Sequence, residues 1–278
     1  MNDSSATAKF GIGIFDSGVG GLSVLREFRR LRPGVPVLYV ADQAHVPYGS
    51  RPLAEVRDYA GGISRFLMEQ GARLIAVACN TASAAALHEL RDQFPSFPFV
   101  GMEPAVKPAA AGTRNGRIGI LATPATFQGM LYHSLVQRYA TGITIFQDTC
   151  PGLVARIEQG DLTGPATRAI LEKALGPMLA AGVDTVVLGC THYPFVLPLI
   201  REICGPDIGL IDPAAAVARR MVHLLAEMTI ESSPGVPAVV RYNTTGDPAP
   251  FRRLLPVLAC ESGEVLPLCW HGRLLETD

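Results

Sequence analysis

The sequence predicts an α/β fold: two pseudo-symmetric, doubly wound parallel-sheet domains, with the active site in the cleft between them. Three observations carry this. Short apolar runs alternate with helix-patterned segments from residue 10 onward, the order that builds a parallel sheet with helices on both faces. Two of the runs end on a cysteine, LIAVACNTAS at 74–83 and TVVLGCTHYP at 185–194. The motifs also recur in order: RIGILATPATFQG echoes GIGIFDSGVGG, so that Gly119 follows Gly13 by 106 residues and Cys190 follows Cys79 by 111. In such folds ligands sit outside the carboxyl ends of the strands, which puts both thiols in ligand-accessible space.

Residues 10–15 read as the first strand. Asp16-Ser17-Gly18-Val19-Gly20-Gly21 then turns the chain into a helix over 22–31. The glycines permit a tight turn and close backbone approach, and the helix start behind them favours an anionic group such as a carboxylate. Neither G-x-x-x-x-G-K-[ST] nor G-x-G-x-x-G is present, which weakens a nucleotide reading. Plain N-capping by Asp16 and Ser17 is the competing role. A second strand over 35–40 ends at Asp42 and a loop, 43–52, that carries His45, Pro47, Tyr48, Gly49 and Arg51. Residues 53–70 have helical spacing and stop at Gly71. The Cys79 strand follows, its thiol handed to a helix with a Thr/Asn cap, and 97–101 makes another short strand.

A crossing to the second domain falls near Glu103-Pro104, and 117–121 opens the new series. A strand over 143–146 leads to Cys150-Pro151 and a helix through Glu158, ended by Gly160. On composition alone Glu158 is a solvated helix residue, unless the fold brings it to the second thiol. A long helix over 165–181 precedes the Cys190 strand, where Thr191 suits a helix cap and His192 can orient or acidify the thiol. After a strand at 208–210, Asp212-Pro213 marks a second crossing. A helix over 214–228, a strand over 236–242 and short strands in the tail then complete the first sheet. The domains are therefore expected at 1–103 with 213–278, and at 104–212.

Composition narrows the function. A chain of 278 residues, 48% hydrophobic and with a net charge of -1, has no basic footprint for nucleic acid, and its apolar runs are too short to span a bilayer. The N-terminus MNDSSATAKF lacks a secretory signal, so the expected location is the cytoplasm, where thiols stay reduced. The six cysteines, Cys79, Cys150, Cys190, Cys204, Cys260 and Cys269, show no C-x-x-C spacing, which removes the main support for a structural zinc site. Lys9, Lys107 and Lys173 have no context suited to a pyridoxal Schiff base. Neither cofactor nor metal is expected, and the partner is a small molecule.

Two thiols in equivalent places suit stereoinversion at a carbon: one thiolate removes a proton from one face, and the other sulfur returns a proton to the opposite face. The α-carbon of an amino acid is a very weak acid, so the site must exclude water and aim fixed donors at the substrate carboxylate. Asn80-Thr81, Thr191-His192, Ser17 and the backbone near Gly49 supply donors. Asp16 is placed to polarise Cys79, and His192 with Glu158 to polarise Cys190.

With D-S-G-V-G-G at 16–21, P-Y-G at 47–49, C-N-T-A-S at 79–83 and G-C-T-H-Y-P at 189–194, the chain resembles the glutamate racemase family, within the wider Asp/Glu racemase group, from about Gly11 to Met228. The resemblance implies cofactor-independent interconversion of L- and D-glutamate by a two-base route, supplying D-glutamate for bacterial peptidoglycan. It implies Cys79 acting on the D-isomer and Cys190 on the L-isomer. Asp16, Ser17, Tyr48, Gly49, Asn80, Thr81, Thr191 and His192 would bind substrate. Glu158 matches the acidic residue of the family's V-E-x-G segment, here I-E-Q-G, and Thr123 and Thr126 of A-T-P-A-T match threonines near the substrate. Self-association as a homodimer is implied as well. Two other readings stay open on the residues: an aspartate racemase, and a non-catalytic two-lobed amino-acid sensor.

Overall fold

A computed structural model describes residues 10–228, 238–259 and 261–277. The N-terminal segment in which no signal was found, Lys9, Cys260 and the first two residues of the strand expected at 236–242 lie outside the described residues.

The chain is α/β and forms two sheets. The larger has seven strands in the order β11-β10-β9-β2-β1-β3-β4. These are β1 (Ile12–Asp16), β2 (Val37–Ala41), β3 (Ile75–Val77), β4 (Phe99–Gly101), β9 (Val240–Thr244), β10 (Val265–His271) and β11 (Leu274–Thr277). All pair in parallel except β10 with β11, an antiparallel hairpin. The smaller sheet is wholly parallel, in the order β6-β5-β7-β8, from β5 (Arg117–Ala122), β6 (Thr144–Asp148), β7 (Thr185–Gly189) and β8 (Gly209–Ile211). Every side chain of β1, β2, β3 and β7 is buried. Burial on both faces explains why these strands read as continuous apolar runs rather than alternating ones.

Helices supply the covering layers. In α1 (Leu22–Leu31), Leu22, Val24, Leu25 and Phe28 turn inward while Arg29 and Arg30 stand in the last turn, where their charge complements the helix dipole. This helix packs on α10 (Ala214–Glu227), and α2 (Leu53–Glu69) packs on α3 (Asn80–Gln93). The side chains under α1 and α10 belong to a core that runs on through Leu121, Leu188 and Tyr193 of the smaller sheet's half, so apolar packing is continuous between the halves. The echo between Gly13 and Gly119 has a steric meaning. A Cβ on Gly13 would lie 2.9 Å from Leu67 Cδ1 of α2, and one on Gly119 would lie 2.7 Å from Met178 Sδ of α8 (Pro165–Ala180). Each central strand thus carries glycine where a helix lies tight against it.

Register brings the functional ends together. Asp16 pairs across from Ala41 and Phe15 from Val77, so the segments after β1, β2 and β3 emerge side by side. In the smaller sheet Ala122 pairs with Gly189 and Leu121 with Asp148, which aligns Thr123 and Cys190 at one edge.

Several local expectations need correction: the strand expected at 236–242 is β9 at Val240–Thr244, the helix expected from Cys150-Pro151 begins at Leu153, and the tail read as short strands also holds a helix, Pro248–Leu258. Residues 43–52 contain two short 3-10 turns, Gln43–His45 and Tyr48–Ser50, instead of an open loop. Neither Thr81 nor Thr191 caps a helix. Cys79 is the residue flanking α3 and makes no side-chain cap, while Thr81 turns its hydroxyl toward Thr123. After Cys190 the chain forms a 3-10 turn, Tyr193–Val196, before α9 (Leu197–Cys204), and the Thr191 hydroxyl points back to Asp16. In both places a partner across the molecule wins over the local backbone N–H.

Candidate active site

One pocket is lined by Ser17, Tyr48, Gly49, Cys79, Asn80, Thr81, Thr123, Cys190, Thr191 and His192, together with Pro47 and Val154. Both thiols therefore face a single cavity, Cys79 from the end of the larger sheet and Cys190 from the end of the smaller. Its volume is only about 10 Å³, room for roughly one water. Pro47 and Val154 are the lining residues that the sequence reasoning missed. Pro47 stood inside the P-Y-G motif, but Val154 is an unexceptional helical valine in α7 (Leu153–Glu158) with no sequence signal.

Three candidates stand behind the lining. Asp16 is fully buried. Its Oδ2 accepts the Gly21 N–H at 2.8 Å and the Thr191 hydroxyl at 3.5 Å, and its Oδ1 accepts the Ser17 hydroxyl at 3.5 Å. Its reach to the Gly21 N–H serves the turn, but α1 itself begins without a side-chain cap. Glu158 is nearly buried, not solvated: Oε1 accepts the Val19 N–H at 2.8 Å and contacts His192 Nε2 at 2.6 Å, while Oε2 accepts from Gln43 Nε2 at 2.9 Å. Thr126 is reached through Thr123: its hydroxyl lies 2.9 Å from the Thr123 hydroxyl, which lies 2.8 Å from that of Thr81.

The two thiols have different surroundings. Cys79 Sγ lies 4.0 Å from Ser17 Oγ. Burial, reinforced by the Asp16 carboxylate, holds its pKa well above the ordinary thiol value, opposed in part by the Ala82 N–H of α3. Burial likewise raises the Asp16 carboxyl, against the pull of His192. Cys190 Sγ instead lies 3.8 Å from His192 Nδ1. Burial alone would lower the His192 imidazole, but Cys190 on one nitrogen and Glu158 on the other outweigh it and hold its pKa well above the ordinary histidine value. Burial pushes the Glu158 carboxyl up, yet the hydrogen bonds from His192, Val19 and Gln43 leave it lowered. The Cys79 side thus favours a thiol, and the Cys190 side places an imidazolium 3.8 Å from its sulfur.

Asn80 lines the pocket with both side-chain polar atoms buried and without a hydrogen-bond partner among the described residues. An unpaired buried amide costs about 1–3 kcal/mol, which a polar ligand group would recover. A third thiol, Cys150, is buried as well, and burial with Asp148 beside it raises its pKa strongly. That suits a small core side chain, not a nucleophile. Among the described residues no three His, Cys, Asp or Glu side chains converge as a metal-ligand set, and no helix is long and apolar enough to cross a membrane.

The model of the Asp/Glu/hydantoin racemases matches residues 22–221. A glutamate racemase of Pseudomonas paraeruginosa is 52% identical over 247 residues, 89% of this chain and 93% of that protein. Among solved structures, a glutamate racemase of Bacillus anthracis superposes with a TM-score of 0.84 at 29% identity, covering 96% of this chain and 99% of the other. The glutamate racemase of Escherichia coli, solved with L-glutamate and an activator, gives 0.81 at 34% identity, covering 93% and 97%.

Proposed function

The chain belongs to the Asp/Glu/hydantoin racemase family, and from that premise we infer that it is a glutamate racemase working through Cys79 and Cys190. The observation that carries the mechanism is the shared pocket: two thiols from different sheets face one cavity, one beside a carboxylate and the other beside an imidazole.

With L-glutamate bound, the Cys190 thiolate takes the α-proton and becomes a thiol. The C–H electron pair stays on the α-carbon as a carbanion. Cys79, held as a thiol by burial and Asp16, gives its proton to the opposite face and becomes the thiolate, leaving D-glutamate. The reverse reaction exchanges the two roles. His192 supplies positive charge to the Cys190 thiolate, and Glu158 fixes the imidazole by its other nitrogen. The negative charge that grows toward the substrate carboxylate is met by neutral donors, the hydroxyls of Ser17, Thr81, Thr123 and Thr191 and the Asn80 amide, all of them buried. Tyr48 and Gly49 form the wall beside them, and Thr126 steadies the Thr123 hydroxyl.

The two sheets support a discontinuous first domain of 1–103 with 213–278 and a second of 104–212. The reading also includes a cytoplasmic location, a supply of D-glutamate for peptidoglycan and association as a homodimer. The activity is tested by the decay of optical signal from L-glutamate in the wild type, Cys79→Ser and Cys190→Ser. The wild type should racemise glutamate, with aspartate a poor substrate, and each variant alone should lose turnover. Full activity in either single variant would overturn the two-thiol assignment.

A further inference from the structure

Gln43 belongs to none of the motifs and lines no part of the pocket, yet it is tied to the catalytic relay at both ends of its side chain. The Thr244 hydroxyl, at the end of β9, donates to Gln43 Oε1 at 2.9 Å. Gln43 Nε2 donates to Glu158 Oε2 at 2.9 Å. A carboxylate only accepts, so the amide nitrogen must face Glu158, and the oxygen is left for the Thr244 hydroxyl. The partners therefore fix the orientation of the amide. The other oxygen of Glu158 already serves His192 and Val19, so among the described residues Gln43 is the donor that holds Oε2.

We propose that Gln43 is a positioning residue for the Cys190 half of the reaction, oriented by Thr244 and acting through Glu158 and His192. The proposal rests on the racemase reading given above. A carboxylate gripped by one oxygen can pivot about it, whereas one gripped by both presents Oε1 to His192 in a fixed direction. That matters because His192 Nδ1 must in turn face Cys190 Sγ, 3.8 Å away. The donor is also neutral. A lysine or arginine in the same place would compete with the imidazolium for the Glu158 charge, but an amide fixes the carboxylate and leaves that charge to His192. The chain Thr244, Gln43, Glu158, His192, Cys190 thus carries alignment from a C-terminal strand of the larger sheet to the thiol of the smaller one.

The test compares glutamate turnover by the full-length wild type with Gln43→Leu, Thr244→Val and Thr244→Ser, and repeats Gln43→Leu in a Glu158→Gln background. Gln43→Leu should lower kcat by about ten- to a hundredfold, the scale of a small misplacement of a catalytic group, with KM within about twofold. Thr244→Val should lower kcat in the same direction, and Thr244→Ser, which keeps the hydroxyl, should recover most of that loss. In the Glu158→Gln background Gln43→Leu should add little, since both changes act on one contact. Unchanged kcat in Gln43→Leu, a rise in KM with kcat steady, or a fully additive loss in the double variant would each overturn the proposal. Should Gln43→Leu fail to fold, the Thr244→Val and Thr244→Ser pair decides by the same criterion. A wild type that exchanges no α-proton of glutamate would instead refute the racemase reading.

Discussion

Replacing Gly18 by alanine should disable turnover while leaving the protein folded. Gly18 lies in the turn after β1, and a Cβ built on it would stand 1.9 Å from Glu158 Oε1 and 2.7 Å from Glu158 Cδ. Contacts below 3.0 Å are essentially never seen for a Cβ, so something must move by at least 1.1 Å. The Tyr39 hydroxyl, which donates to the Gly18 carbonyl at 2.8 Å, holds the backbone in place, and alanine tolerates the Gly18 φ, which is not left-handed. The carboxylate must give way. A shift of that size breaks the 2.6 Å contact to His192 and the 2.8 Å bond from Val19. Misplacing a catalytic group by about 1 Å costs on the order of a hundredfold in rate, so kcat should fall by that factor. The stability cost should stay near 1–3 kcal/mol for the lost hydrogen bonds, offset by about 0.4–1 kcal/mol because alanine restricts the unfolded chain. The assay pairs kcat for L-glutamate with a urea unfolding midpoint. In a Glu158→Ala background, where the clash is gone, Gly18→Ala should cost little more. Folded Gly18→Ala at wild-type kcat would refute the claim that Glu158 must sit where it does.

The other predictions concern single groups. Thr123→Val removes both the hydroxyl that lines the pocket and the acceptor for the Thr126 N–H at the start of α5 (Pro124–Gln128), so stability should drop by about 1 kcal/mol and KM for glutamate should rise, whereas Thr123→Ser keeps both; equal KM values in the two variants would contradict this. Because the folded pKa of His192 lies above its unfolded value, its contribution to stability is complete below about pH 6.5 and is lost as pH rises through the folded pKa; the urea midpoint of the wild type should therefore fall toward that of His192→Asn as pH increases, and a gap that widens would contradict the sign. Asp184 accepts the Thr113 and Thr185 hydroxyls and the Arg114 and Asn115 N–H groups at 2.7–3.0 Å, so Asp184→Ala should cost about 2–4 kcal/mol of stability without touching the pocket; a loss in kcat at full stability would contradict that division.

The strand-to-thiol handovers were legible in the sequence because an apolar run that ends on Cys79 or Cys190 has one natural place in a parallel sheet. Asp16 and Ser17 were legible for the same reason, as the residues where β1 turns into α1. Glu158 was not, because its approach to His192 depends on where α7 lies relative to the larger sheet, and a carboxylate near a helix end reads as solvated. Thr81 and Thr191 looked like caps because the sequence shows only local partners, whereas their hydroxyls found Thr123 and Asp16. Gln43 carried no signal at all. Its importance arises from two contacts, to residues 115 and 201 positions away, that only the folded chain brings together.

The central claim, that two sulfurs serve opposite faces of one carbon, is tested most directly by racemising L-glutamate in deuterium oxide and analysing both isomers early in the reaction. Two thiols predict that the D-glutamate formed carries deuterium at the α-carbon while the remaining L-glutamate still carries its original hydrogen. D-glutamate that retains the substrate's own α-hydrogen would mean that a single base serves both faces, and would contradict the account.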